Sequence, residues 1–242
     1  MKLPLQLTDR RNSLNTRSAF TMVEVALSLA IVAFALVAII GVMPFGMNVR
    51  KQNREDTIIS QDVATIIEAI RSGASSSNMP ALKAAFVQIS GPTQPITGTN
   101  YTTADIVSRL CIPRWDTSAA TNLVRAYFRA MSGNLGDVSG TNISSVVFSY
   151  VVTAAVTNYT RVSPAVPLYS ATNYYYYTTN NLYEVKLTFQ WPVFEPPPGQ
   201  FPTNFGEGRL VMRTQVSGEL SPVMNGGTTN GYLFQGANFL GQ

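Results

Sequence analysis

The stretch RSAFTMVEVALSLAIVAFALVAIIGVMPFG, residues 17–46, decides how this chain is read. From Val25 to Met47 it runs 23 residues without a charge, and a single acid, Glu24, stands at its leading edge. As a helix this run would be about 35 Å long, enough to cross a hydrocarbon core of about 30 Å. It exceeds the h-region of a cleaved secretory signal, which is about 7–15 residues. The position of Glu24 needs a reason, because an ionised side chain at the centre of a membrane helix costs about 2.5–3.5 kcal/mol, less near an end. Either the carboxylate stays at the interface of a simple anchor, or another group supplies it with a cation.

Outward from this segment the chain divides in order. Residues 1–19 form a basic leader, in which Lys2, Arg10, Arg11 and Arg17 are opposed only by Asp9. Residues 20–47 form the span. Residues 48–73 continue the helix with a different face: Ile58, Ile59, Val63, Ile66, Ile67 and Ile70 recur at helical spacing, with Arg54, Asp62, Glu68 and Arg71 between them. Gly73 and the serines after it stop the helix. Pro44 lies inside it, flanked by Gly41 and Gly46. Proline removes a backbone hydrogen bond, so a kink or local melting is expected there. Two meanings stand open: a kink that a membrane helix tolerates, or a region that unwinds when the protein leaves the bilayer.

Residues 74–242 read as one β-rich domain. Pro80–Ile89 and Thr103–Cys111 are candidate short helices. Ile143–Val156 is a candidate strand. Tyr183–Trp191 alternates, with Tyr183, Val185, Leu187, Phe189 and Trp191 on one face and Glu184, Lys186, Thr188 and Gln190 on the other. Arg209–Leu220 gives a further strand, with Leu210, Met212, Thr214 and Val216 on one side. The proline-rich FEPPPGQFPTNFGEG between these strands is excluded from a central ladder. TNYYYYTTNN is a loop or edge, and the segment from Met224 is a flexible tail whose late aromatic cluster docks. The fold class is therefore α+β: a long N-terminal membrane-spanning helix packed on a small antiparallel sheet.

Composition narrows the chemistry. Charged residues make up 12% of the chain, below the roughly 25% of ordinary soluble domains. From Phe20 onward there are 13 basic and 12 acidic residues, so no basic stripe for a nucleic-acid partner is expected. There is no histidine, and Cys111 is the one cysteine. An internal disulfide, a zinc site needing His or several Cys, and a Ser-His-Asp or Cys-His catalytic arrangement are all excluded. No catalytic, cofactor or metal site is expected. The acid pairs Glu195/Glu207 and Asp105/Asp116 read as solvated surface, Cys111, Trp115 and Trp191 as packing residues. Asn142-Ile143-Ser144 is a glycosylation acceptor only by pattern. Positive charge flanks the span on both sides, with Arg50, Lys51 and Arg54 beyond it, and favours a cytoplasmic N-terminus by a narrow margin.

Ala19-Phe20-Thr21-Met22-Val23-Glu24-Val25, with its basic leader and apolar continuation, resembles the N-terminal methylation motif of type IV prepilins and pseudopilins. The strand pair YEVKLTFQW and RLVMRTQVSGEL is similar to minor pseudopilins of type II secretion, and the chain also resembles the pilin-like Verru_Chthon cassette proteins. The resemblance implies cleavage between Ala19 and Phe20 by a prepilin peptidase and N-methylation of Phe20. It further implies assembly through Glu24 and Thr21 with other pilin subunits, on an inner-membrane assembly platform. The head would then lie in the periplasm or on an extracellular filament. Ala19 departs from the family's usual glycine before the cut, and Met22 and Val23 replace larger aliphatics. The alternative reading is a signal-anchored extracytoplasmic domain that binds a ligand and does not polymerise.

Overall fold

The computed structural model describes residues 20–73, 79–91, 96–97, 101–114, 123–131, 148–159, 177–194 and 200–239. Ala19, Trp115, Asp116, Asn142–Ser144, Tyr174–Tyr176 and Glu195 lie outside them. The chain divides into two compact units, Met1–Gln52 and Asn53–Gln242. Helix α1, Met22–Ser72, contributes to both.

In the first unit every described residue is exposed. The helix is long and apolar enough to cross a membrane, with a mean hydropathy of 2.9 over its best window and none of that window buried.

In the second unit the remainder of α1 is amphipathic, and it buries Glu55, Ile59, Asp62, Val63, Ile66, Ala69 and Ile70 on one face. That spacing of three and four residues is the helical period read from the sequence. Asp62 is a correction to that reading: it is not among the solvated residues between the apolar ones but fully buried. The helix stops where expected. Gly73 adopts a left-handed φ of +54°, and a Cβ there would run into the Phe234 carbonyl oxygen. Only glycine meets both conditions without strain.

Helix α2 is Pro80–Ala85, with proline in its first turn, where no N–H is needed. It is shorter than expected, because Phe86 turns extended and opens strand β1, Phe86–Ser90. Phe86 lies opposite Phe128 of a later strand, and this pairing overrides the helical propensity of the alanines before it. After the short β2, Ile96–Thr97, helix α3 (Thr103–Leu110) opens on a reciprocal capping box. The Asp105 N–H donates to Thr102 Oγ1 at 3.2 Å, and the Thr102 N–H donates to Asp105 Oδ2 at 2.7 Å. Asp105 is thus a helix cap.

Strands β3 (Val124–Arg129), β4 (Ser149–Asn158), β5 (Leu182–Val193) and β6 (Phe205–Ser217) complete a sheet of order β2-β1-β3-β4-β5-β6, antiparallel throughout. The alternation of β5 holds: Tyr183, Val185, Leu187, Phe189 and Trp191 are all buried. Their partners across the register include Val156, Ala154 and Val152 of β4. β5 runs through Pro192 and Val193 with a bulge, and β6 begins at Phe205, earlier than expected. Aromatic rings cross the inner face from Tyr101 through Phe86, Phe128 and Tyr150 to Phe189, at centroid separations of 4.5, 5.6, 5.8 and 6.0 Å. Such pairs add about 0.5–1.5 kcal/mol beyond the area they bury.

β6 ends at Ser217, short of the expected Leu220, because Gly218 takes a φ of +129°. The segment expected to be a flexible tail is instead part of a hairpin, β7 (Glu219–Asn225) and β8 (Thr228–Gln235). Gly226 and Gly227, with φ of +58° and +84°, form its two-residue turn. Phe234 is fully buried, 5.5 Å from the Tyr183 ring, so the late aromatic cluster does dock.

Candidate assembly segment

The residues singled out by the motif sit at the start of the exposed apolar helix. Phe20 is 77% exposed and precedes the helix, which opens at Met22. The Thr21 hydroxyl oxygen accepts the backbone N–H of Glu24 at 3.3 Å, and the Thr21 carbonyl accepts that of Val25 at 3.1 Å. Thr21 is therefore the N-cap, with Glu24 at the third helical position. Thr-x-x-Glu before an apolar run is the spacing of a capping box, a signal present in the sequence that the motif reading passed over. Half of the box is closed here, from hydroxyl to N–H. The carboxylate also stands in the first turn, where the helix dipole favours a negative charge by about 0.3–1 kcal/mol.

The chemistry available to this segment is limited and specific. It offers a large apolar surface, capped at one end and carrying one acid. Phe34, Val37, Ile40, Val42 and Phe45 are each more than 60% exposed. Ala38, Ile39, Val42, Met43, Gly46, Met47 and Arg50 line a shallow groove on it. An added Cβ at Gly41 or Gly46 would meet nothing within 4 Å, so neither glycine is demanded by contacts within the chain. The helix runs on through Pro44. Proline still withholds its N–H, which leaves the Ile40 carbonyl without its usual helical donor.

The other candidates resolve as packing. Cys111 is fully buried, and burial pushes its thiol far above the usual range, so it is no nucleophile at neutral pH. Trp191 is buried, and Gly208 packs where a Cβ would fall 2.5 Å from the indole Nε1. Glu207 is exposed on β6. Tyr177 is 41% exposed at the head of a helical turn over residues 177–181, which was expected as loop or edge.

Comparison with known proteins returns no match: no family model, no curated protein and no solved structure aligns significantly with this chain.

Proposed function

We propose that the chain is a pilin-like subunit that acts by assembly and not by catalysis. It inserts in the bacterial inner membrane with its leader in the cytoplasm and its β-rich head on the far side. A prepilin peptidase cuts between Ala19 and Phe20. Other pilin subunits then receive it, through an inner-membrane assembly platform, into a type IV pilus or a type II secretion-like filament. One observation carries this reading: a carboxylate stands in the first turn of an apolar helix whose residues 22–52 are all exposed among the described residues.

Cutting at Ala19 makes a cationic amine at Phe20, beside hydrocarbon. When helices pack side by side with a stagger, the Glu24 carboxylate of one subunit meets the Phe20 amine of its neighbour. Two buried charges left apart are far less favourable than the pair. The acid then acts as a register key, as a single polar residue does in a coiled coil. Thr21 contributes by ordering the backbone that carries Glu24.

Replacing Glu24 with Ala separates assembly from anchoring. Filament incorporation is expected to fall sharply while the protein still fractionates with membranes. Unchanged incorporation would remove the register key, and a chain that never enters a filament in either form would favour the solitary anchored domain.

A further inference from the structure

Among the described residues, one long edge of the sheet is left unpaired. The opposite edge of the sheet is the two-residue β2, too short to template a partner. β6, by contrast, is 13 residues long, and no described strand pairs with its outer side. It holds no proline, and Glu207, Arg209, Val211, Arg213 and Gln215 alternate along its exposed face. Glu207 and Arg209 have no ion-pair partner among the described residues, whereas Arg213 holds Glu184 at 2.9 Å.

We infer that β6 pairs antiparallel with β6 of a second copy of this chain, about a two-fold axis through Leu210. The charge pattern selects both the partner and the register. An axis at Leu210 puts Glu207 opposite Arg213 twice, once on each side. Shifting it to Val211 puts Arg209 opposite Arg213 twice, which directly opposed strand positions resist. An axis at Met212 brings no opposite charges together, and one at Gly208, which sets Glu207 opposite Arg209, leaves only Phe205 to Val211 of β6 paired. In the Leu210 register each Arg213 lies between Glu184 of its own chain and Glu207 of the partner. Half-buried Leu210 and Met212 gain cover, and the edge backbone groups find partners.

The test uses the full chain in detergent micelles. Leu210→Cys places two thiols directly opposite across the axis, at a spacing a disulfide accepts, and mild oxidation should yield a covalent dimer. Val211→Cys should not, because the two residues are then diagonal. The native Cys111 is buried and supplies the uncross-linked control. By sedimentation, Glu207→Arg and Arg213→Glu should each weaken self-association about tenfold, and an equimolar mixture of the two should restore it as a heterodimer. The pairing is overturned if the wild-type chain sediments as a monomer at every concentration. It is equally overturned if Val211→Cys cross-links in place of Leu210→Cys, or if the mixed variants fail to associate.

Discussion

The Asp62 carboxylate accepts the backbone N–H of Met131 through Oδ2 at 2.8 Å, joining positions 69 residues apart inside the core. Asp62 has no exposed surface, and the buried Tyr150 phenol lies close enough to be raised by its carboxylate. A buried acid on the inner face of a helix is retained where a fixed donor meets it. This one binds the amphipathic part of α1 to the chain just beyond the end of β3. Replacing Asp62 with Ala leaves the Met131 N–H unpaired and should lower stability by about 1–3 kcal/mol. Asp62→Asn keeps an acceptor and should lose less than half of that. Denaturant midpoints of the two variants check this, and equal losses would mean that the hydrogen bond is not what matters.

Stability should fall on the alkaline side, by a sign that the buried acids dictate. Burial pushes the Cys111 thiol up, and burial, then the Asp62 carboxylate, holds the Tyr150 phenol well above its usual range. Both groups are neutral in the folded chain where the unfolded chain would ionise them. Their stabilisation is whole below the unfolded values, near 8.5–9 for the thiol and near 10 for the phenol, and is lost as pH rises toward the folded ones. Unfolding free energy should drop by about 1.4 kcal/mol per pH unit for each group once past its unfolded value. Cys111→Ala should remove the decline that begins near pH 9, and Tyr150→Phe should lessen the part that begins near pH 10, to which the phenols of Tyr101 and Tyr183, also raised by burial, contribute. Circular dichroism melts at stepped pH measure both.

Gly73 and Gly226 separate a clash from a conformational penalty. Both have a left-handed φ, near +54° and +58°, but a Cβ meets the Phe234 carbonyl at the first and nothing at the second. Gly226→Ala should lose about 1–2 kcal/mol, the left-handed penalty alone. Gly73→Ala should lose clearly more, because the hairpin or the helix end must shift. Chemical denaturation of the pair decides, and equal losses would contradict the contact with β8.

Thr21→Ala should release the first turn of α1 without affecting membrane insertion. Loss of an N-cap costs about 1 kcal/mol, so amide exchange at Glu24 should quicken about fivefold. A Ser replacement should restore protection. Unchanged exchange in the Ala variant would mean that Thr21 does not hold this end.

How far the sequence could be read depended on whether a residue's environment is local. β5 was legible because strict alternation has one meaning at a half-buried strand, and Gly73 because helix stops are read within a few residues. Asp62 was not, since its donor comes from 69 positions away. Phe86 to Ile89 reads as helix in the sequence because its strand character is conferred by β3. The hairpin had a readable signal in Gly226-Gly227, obscured by Pro222 within β7 and by the low hydrophobicity around it. At the candidate site, Glu24 was legible as an anomaly, while its link to Thr21 needed only the Thr-x-x-Glu spacing.

The central claim is that Glu24 awaits a positive chain end that processing creates at Phe20. The most direct measurement is the intact mass and N-terminal sequence of the protein purified from its native host. A chain beginning at N-methylated Phe20 is the predicted result. Retention of the first nineteen residues, or cleavage beyond Met47, would leave no such amine beside Glu24 and would contradict the account.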